Sequence, residues 1–272
     1  MKKTLIASLL LAAVASFAAQ AQDAAPAAAP AANDGGWSGS GQFGFASTTG
    51  NSRSQNINAK LDFKQENDQW KNDVFLSELR AKSQVKTVDA AGNTLNQYNI
   101  TANDFTAGAS AGYKLDPRSY IVGSVYYDHN DFGAQLWQST VAIGYGYIAV
   151  KDDSNELSFE VGPGYMRFRP AVTDVLVDGI DVPQQSSVEG QVVLRGLVNY
   201  KLKITDNTSF EDTFLVESGS KDTYMQNDAG IAVSMTKTLS LKVGFQVRHN
   251  STVLPGIYKT DTLATTNLVY KF

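Results

Sequence analysis

The fold is decided at the C-terminus, in the stretch Thr260-Asp261-Thr262-Leu263-Ala264-Thr265-Thr266-Asn267-Leu268-Val269-Tyr270-Lys271-Phe272. Leu268, Tyr270 and Phe272 fall on one face of an extended chain; Asp261, Asn267 and Lys271 fall on the other. Successive side chains of a strand point to opposite faces, so this is a strand with one apolar and one wetted side.

The pattern recurs upstream. Trp37, Phe43 and Phe45 alternate with Ser38, Ser40 and Gln42 before a turn at Thr49-Gly50-Asn51-Ser52. Ile57, Ala59, Leu61 and Phe63 alternate with Asn56, Asn58, Lys60, Asp62 and Lys64. Further strands are expected over 70–84, 100–115, 120–128, 137–150, 157–165, 188–204, 210–218, 224–235 and 239–248. The third is ambiguous, because Val74, Phe75, Leu76 and Leu79 occupy both parities. Pro163 removes a ladder donor from the seventh, which predicts a bulge there. The stretches 85–99, 130–136 and 169–187 are expected as loops, the last the longest. The chain thus holds about twelve strands. Most turns after even-numbered strands are short and most of the others long, as in a membrane barrel with both termini in the periplasm.

Composition agrees. Met1-Lys2-Lys3, an apolar core from Leu5 to Phe17 and the small-x-small run Ala19-Gln20-Ala21 make residues 1–21 a cleaved secretory signal peptide. Residues 22–36 are Ala/Pro-rich, with no core-forming period, and read as a disordered linker. Residues 37–272 form the barrel. Of 23 basic residues the leader takes two, leaving 21 against 27 acidic, a net charge of about −6. That balance excludes a general nucleic-acid surface. There are no cysteines, and no mature segment has the ~20 apolar residues of a spanning helix. The fold class is therefore an all-β antiparallel barrel, and the expected site is the cell outer membrane. A closed barrel can live there because it pairs every backbone group.

Several ordered stretches carry a family resemblance: Gly36-Trp37-Ser38-Gly39-Ser40-Gly41 with Thr49-Gly50-Asn51, Arg118-Ser119-Tyr120, Gly162-Pro163-Gly164-Tyr165, Asp206-Asn207-Thr208-Ser209-Phe210, Leu239-Ser240-Leu241-Lys242 and Lys259-Thr260-Asp261-Thr262-Leu263. Taken in order, they resemble the salt-induced outer membrane protein (YdiY-like) family of bacterial barrels, with His249 standing where relatives are expected to carry tyrosine. The resemblance implies an outer-membrane location, contact with lipid and lipopolysaccharide, and no assigned activity. The terminal aromatic Phe272 is similar to the residue read by the barrel-insertion machinery. A monomer without cofactor is expected.

The candidate functional residues are the polar partners of the apolar faces. Lys60, Asp62, Glu160, Arg195, Lys201, Glu211, Lys242 and Arg248 are expected to line the lumen, with Lys64, Lys203, Glu217 and Lys271. Charged lumens line channels and tune their selectivity; they also fill narrow barrels with ion pairs. The expected function is a narrow porin-like passive channel or an envelope-stress-associated structural barrel, not an enzyme. The slight basic excess of this set hints at anion preference. The alternative is a lipid-processing hydrolase, similar to lipid A deacylases, using His249 and Ser251. These two share a strand face, but Asp261, the nearest acid on the next strand, points the other way. His129 beside Asp128 and Asp131, and Asp174, Asp178 and Asp181 around Gly179, are weaker cation candidates that lack the spacing of a dedicated site. Gly39-Ser40-Gly41-Gln42-Phe43-Gly44 spells a dinucleotide pattern but no helix follows it.

Overall fold

The computed structural model describes residues 36–48, 53–88, 94–171, 173–177, 180–184 and 186–272. The leader, most of the linker, and the turn at 49–52 lie outside them. Among the described residues fourteen strands follow in order: β1 Trp37–Thr48, β2 Ser54–Glu66, β3 Trp70–Val88, β4 Thr94–Lys114, β5 Ser119–Asn130, β6 Gln135–Lys151, β7 Asn155–Pro170, β8 Thr173–Val177, β9 Ile180–Gln184, β10 Glu189–Lys203, β11 Thr208–Gly219, β12 Thr223–Ser234, β13 Leu239–Asn250 and β14 Thr260–Lys271. All but β8 and β9 pair antiparallel in one closed barrel, β1-β14-β13-β12-β11-β10-β7-β6-β5-β4-β3-β2. β1 closes it on β14, Ser40 opposite Lys271 and Phe43 opposite Leu268.

The barrel strands turn their apolar parity outward. Val192 is 70% exposed, Ile143 59% and Leu241 43%, while their neighbours Gln191, Ala142 and Ser240 are buried inside. This inverts the polarity of a water-soluble protein. Aromatic rings gather on the outward face at the short-turn end: Trp70 packs edge-on to Tyr113 at 5.3 Å, Phe63 to Phe272 at 5.9 Å and Tyr200 to Phe210 at 6.3 Å. Phe105 and Tyr127 meet near the other end.

The short turns are built by their own side chains. Asn67 Oδ1 accepts from the amides of Gln69 and Trp70, Asp116 from Arg118 and Ser119, Asp152 from Ser154 and Asn155, and Thr236 Oγ1 from Thr238 and Leu239. Such Asx and hydroxyl turns reverse the chain in three or four residues. At the long-loop end, Leu254–Ile257 closes on itself at 3.1 Å, with Gly256 at φ 87 behind Pro255; only glycine takes that conformation freely.

Four expectations change. β3 and β4 pair from Val88 and Thr94 downward, so most of 85–99 is strand. β6 begins at Gln135, shrinking the 130–136 loop. The 169–187 segment contains the hairpin β8–β9. No bulge sits at Pro163: Ala142 faces Gly164 and Tyr145 faces Val161, sums of 306 in both cases, so the ladder skips the proline without gaining a residue. Register shifts fall instead at Ala81/Lys82, Gln135/Trp137 and Ile148/Val150. Near Pro163 the backbones crowd, and a Cβ on Gly162 would collide with the Ile143 carbonyl and Gly144 Cα. β3 resolves too: Val74 and Leu76 point out, and Phe75 points in, its ring 5.2 Å below Lys60 Nζ.

Candidate functional site

The site is the lumen. Inward parity places long polar side chains on most walls, and strand closure decides which ones meet. Its short-turn half is wetted: Lys64 Nζ lies 3.3 Å from Asp62 and 3.4 Å from Asp73, Lys242 Nζ 2.9 Å from Glu211, and Lys201 Nζ 3.9 Å from Glu156. The Lys64 and Lys201 side chains remain 48% and 47% exposed. Lys60 lies 3.9 Å from Asp62. Lys114 and Lys151 converge on Glu66 at 2.8 Å each. Where such pairs stay open to water, as at Lys64 and Lys201, they contribute little to stability.

Midway, Arg195 sits between Glu160 at 3.4 Å and Glu217 at 3.6 Å, and Glu217 is fully buried. Thr140 on β6 donates to Glu217 on β11 at 2.9 Å. The Tyr120 hydroxyl donates to Glu160 at 2.9 Å. Its ring fills the space beside Gly112 and Gly146, where a side chain would collide with it.

The long-loop half is closed. Arg248 on β13 reaches Asp104 on β4 and, at 3.3 Å, Asp128 on β5. Five strands separate β13 from β5 in either direction round the sheet, so this ion pair crosses the whole lumen. Arg248 is 13% exposed and Asp128 8%. Tyr126 on β5 also reaches across, 3.4 Å from Gln226 on β12. Asp228 accepts from the Gln226 and Gln246 amides at 2.5 and 2.6 Å. An apolar cluster of Met166, Phe168, Val193, Leu215 and Tyr224 packs against this level on the β7–β12 wall.

All twelve residues singled out in the sequence have the inward parity of their strands, and eight of them pair among themselves: Lys60 and Lys64 with Asp62, Arg195 with Glu160 and Glu217, Lys242 with Glu211. Lys201 goes to Glu156, and Arg248 to two aspartates. What sequence reasoning missed are those aspartates, with Asp228, Asp73 and Glu66. They share the inward parity of β4, β5, β12, β3 and β2, which was their readable signal. They cancel the apparent basic excess.

The hydrolase constellation comes apart. His249 Nδ1 engages Thr260 Oγ1 at 2.8 Å, outside. Ser251 donates to Asp222 at 3.0 Å and accepts from the Thr223 amide. Asp261 faces Arg248 across the β13–β14 ladder. With histidine, serine and acid each engaged elsewhere, no proton relay links them. His129 meets Asp131 at 2.9 Å, and Asp128 turns into the lumen; no cluster able to hold a metal occurs among the described residues. The side chains of Asp174, Asp178 and Asp181 lie outside the described set. The glycines after Trp37 lie in β1, not at a helix.

None of the curated proteins compared matches the chain in sequence. Among solved structures the chain is similar to the COG4313 outer membrane channel from Pseudomonas putida F1, with 12% identity over 92% of this chain and 100% of that one, at a TM-score of 0.45. It is similar to the translocator domain of the autotransporter NalP from Neisseria meningitidis, with 12% identity over 86% and 87%, at 0.47. It is also similar to the NanC porin, with 13% identity over 87% and 98%, at 0.40. A family model matches residues 41–272, nearly the whole barrel, and the chain belongs to the family described as protein of unknown function, DUF481.

Proposed function

We propose that the protein is a bacterial outer-membrane barrel acting as a narrow passive channel for small polar solutes, its termini and short turns in the periplasm. The observation that carries this reading is the lumen. A wetted, charged vestibule at the short-turn end leads to ties across the bore, that of Arg248 to Asp104 and Asp128 and that of Tyr126 to Gln226. The outward apolar belt, with Val192 and Ile143 among its most exposed residues, supports insertion in lipid. A monomer bathed in lipid and lipopolysaccharide, exported on a cleaved leader and assembled through the strand ending in Phe272, is part of the proposal. So is its assignment to the salt-induced, YdiY-like group.

A second reading is a filled, structural barrel of the stressed envelope. The same ties favour it, because contacts that span a bore also obstruct it. Single-channel recording of the purified barrel in a planar bilayer separates the two. Discrete conductance steps support the channel. Reproducible silence, with insertion shown independently, overturns it in favour of the filled barrel.

A further inference from the structure

The long-loop half of the lumen holds four aspartates: Asp104 and Asp128 on one wall, Asp228 and Asp261 on the other. One guanidinium lies among them. Arg248 bonds Asp104, approaches Asp128 at 3.3 Å, and stands opposite Asp261 in the ladder. The Asp228 carboxylate is held by two neutral amides, those of Gln226 and Gln246, which leave its charge uncancelled. Four carboxylates and one guanidinium sum to −3; without the guanidinium the same ring carries −4 and loses its charged tie across the bore, leaving the neutral contact of Tyr126 with Gln226.

Arg248 therefore does two separable things: its length carries it across the bore, and its charge offsets part of the ring. A permeating ion passes within a few ångströms of these groups, in an environment of low effective dielectric where a unit charge weighs heavily. Bulk salt screens over ~10 Å at 0.1 M and so does little at that range. We infer that Arg248 is the selectivity-determining residue of this lumen, setting how strongly the aspartate ring favours small cations over small anions. The inference rests on the channel reading above.

The test is reversal-potential measurement in a KCl gradient on full-length protein in planar bilayers, with heat-modifiable gel mobility reporting the folded barrel. Arg248→Gln is expected to raise unitary conductance and to increase the K⁺/Cl⁻ permeability ratio on the order of tenfold. Arg248→Lys keeps the charge on a shorter side chain that reaches less far across the bore toward Asp104 and Asp128. It should raise conductance while leaving the permeability ratio near wild type. The double variant Asp104→Asn/Asp128→Asn should shift the ratio toward Cl⁻. Conducting Arg248→Gln channels with wild-type selectivity would overturn the inference and leave the channel reading standing. A Lys variant as cation-selective as the Gln variant would overturn it too. Silence of wild type and all variants, once inserted, removes the channel reading and the inference together. If Arg248→Gln does not fold, the aspartate double variant decides: a shift toward Cl⁻ supports the assignment and an unchanged ratio overturns it.

Discussion

A single charge on the outer wall tests the orientation of the whole barrel. Val243 lies near the middle of β13, 55% exposed, facing outward between Ile231 on β12 and Thr266 on β14. Its other outward neighbours are Leu241 and Phe245. Nothing near it could pair with a guanidinium. In lipid, Val243→Arg should destabilise the barrel by about 2–4 kcal/mol, the depth-dependent cost of arginine near the midplane. That is roughly 30- to 700-fold in the folding equilibrium. On a wall facing water the same exposed substitution would cost about 0.5 kcal/mol or less. The internal control is Gln246→Arg, three residues along and of opposite parity. Its guanidinium would enter the lumen beside Asp228, which Gln246 already meets at 2.6 Å. The assay is urea-dependent folding into phospholipid vesicles, followed by tryptophan fluorescence. The Val243 variant should lose most of its midpoint stability and the Gln246 variant little. Equal behaviour of the two, or a cost for Val243→Arg within about 0.5 kcal/mol of zero, would refute the inside-out reading.

Three further outcomes follow from the geometry. Gly162→Ala should cost about 1–3 kcal/mol, because its Cβ meets backbone of β6 that cannot swing aside; an unchanged urea midpoint would show that β6 and β7 are not so close. The Asp116 and Asp152 carboxyls are held below their ordinary value of 3.8 by backbone amides of their own turns, Arg118 first for the one and Ser154 for the other. A lowered folded value means stabilisation that is full above about pH 4 and lost as pH falls through the folded value. Asp116→Ala/Asp152→Ala should therefore flatten the fall in urea midpoint below pH 4, and an acid response identical to wild type would contradict this. Finally, the bore is divided along its axis. Lys60, Lys64, Lys201 and Lys242, balanced by Asp62, Asp73, Glu156 and Glu211, line one half, while Asp104, Asp128, Asp228 and Asp261, offset by Arg248, line the other. Current–voltage curves should rectify in 0.1 M salt, where the Debye length is ~10 Å, and straighten in 1 M, where it is ~3 Å. A symmetric curve in 0.1 M would count against fixed charge as the controlling feature.

How much was legible depended on whether the physics was local. Strand identity and face are local, because the pleat sends neighbours to opposite sides whatever the rest of the chain does. Leu268, Tyr270 and Phe272 could be set against Asn267 and Lys271 from the sequence alone, and Lys60, Arg195 and Arg248 assigned to the opposite parity from the lipid wall. β3 was unreadable for a related reason. Phe75 is an apolar residue inside, under Lys60 and near Tyr126, so composition gave the wrong contrast there. The bulge expected at Pro163 failed because paired glycines let β6 and β7 close up instead.

The sequence by itself determined a barrel of about twelve strands with a greasy outside, a charged inside and unequal ends. Only the tertiary structure decided what those inward charges do. Ring closure sets β13 against β5, and so brings Arg248 to Asp104, 144 positions away, and to Asp128. The structure also gives His249 and Ser251 different partners, Thr260 and Asp222, although the two are only two residues apart. Partnership across a lumen depends on how the sheet shuts, and no period along the chain encodes that.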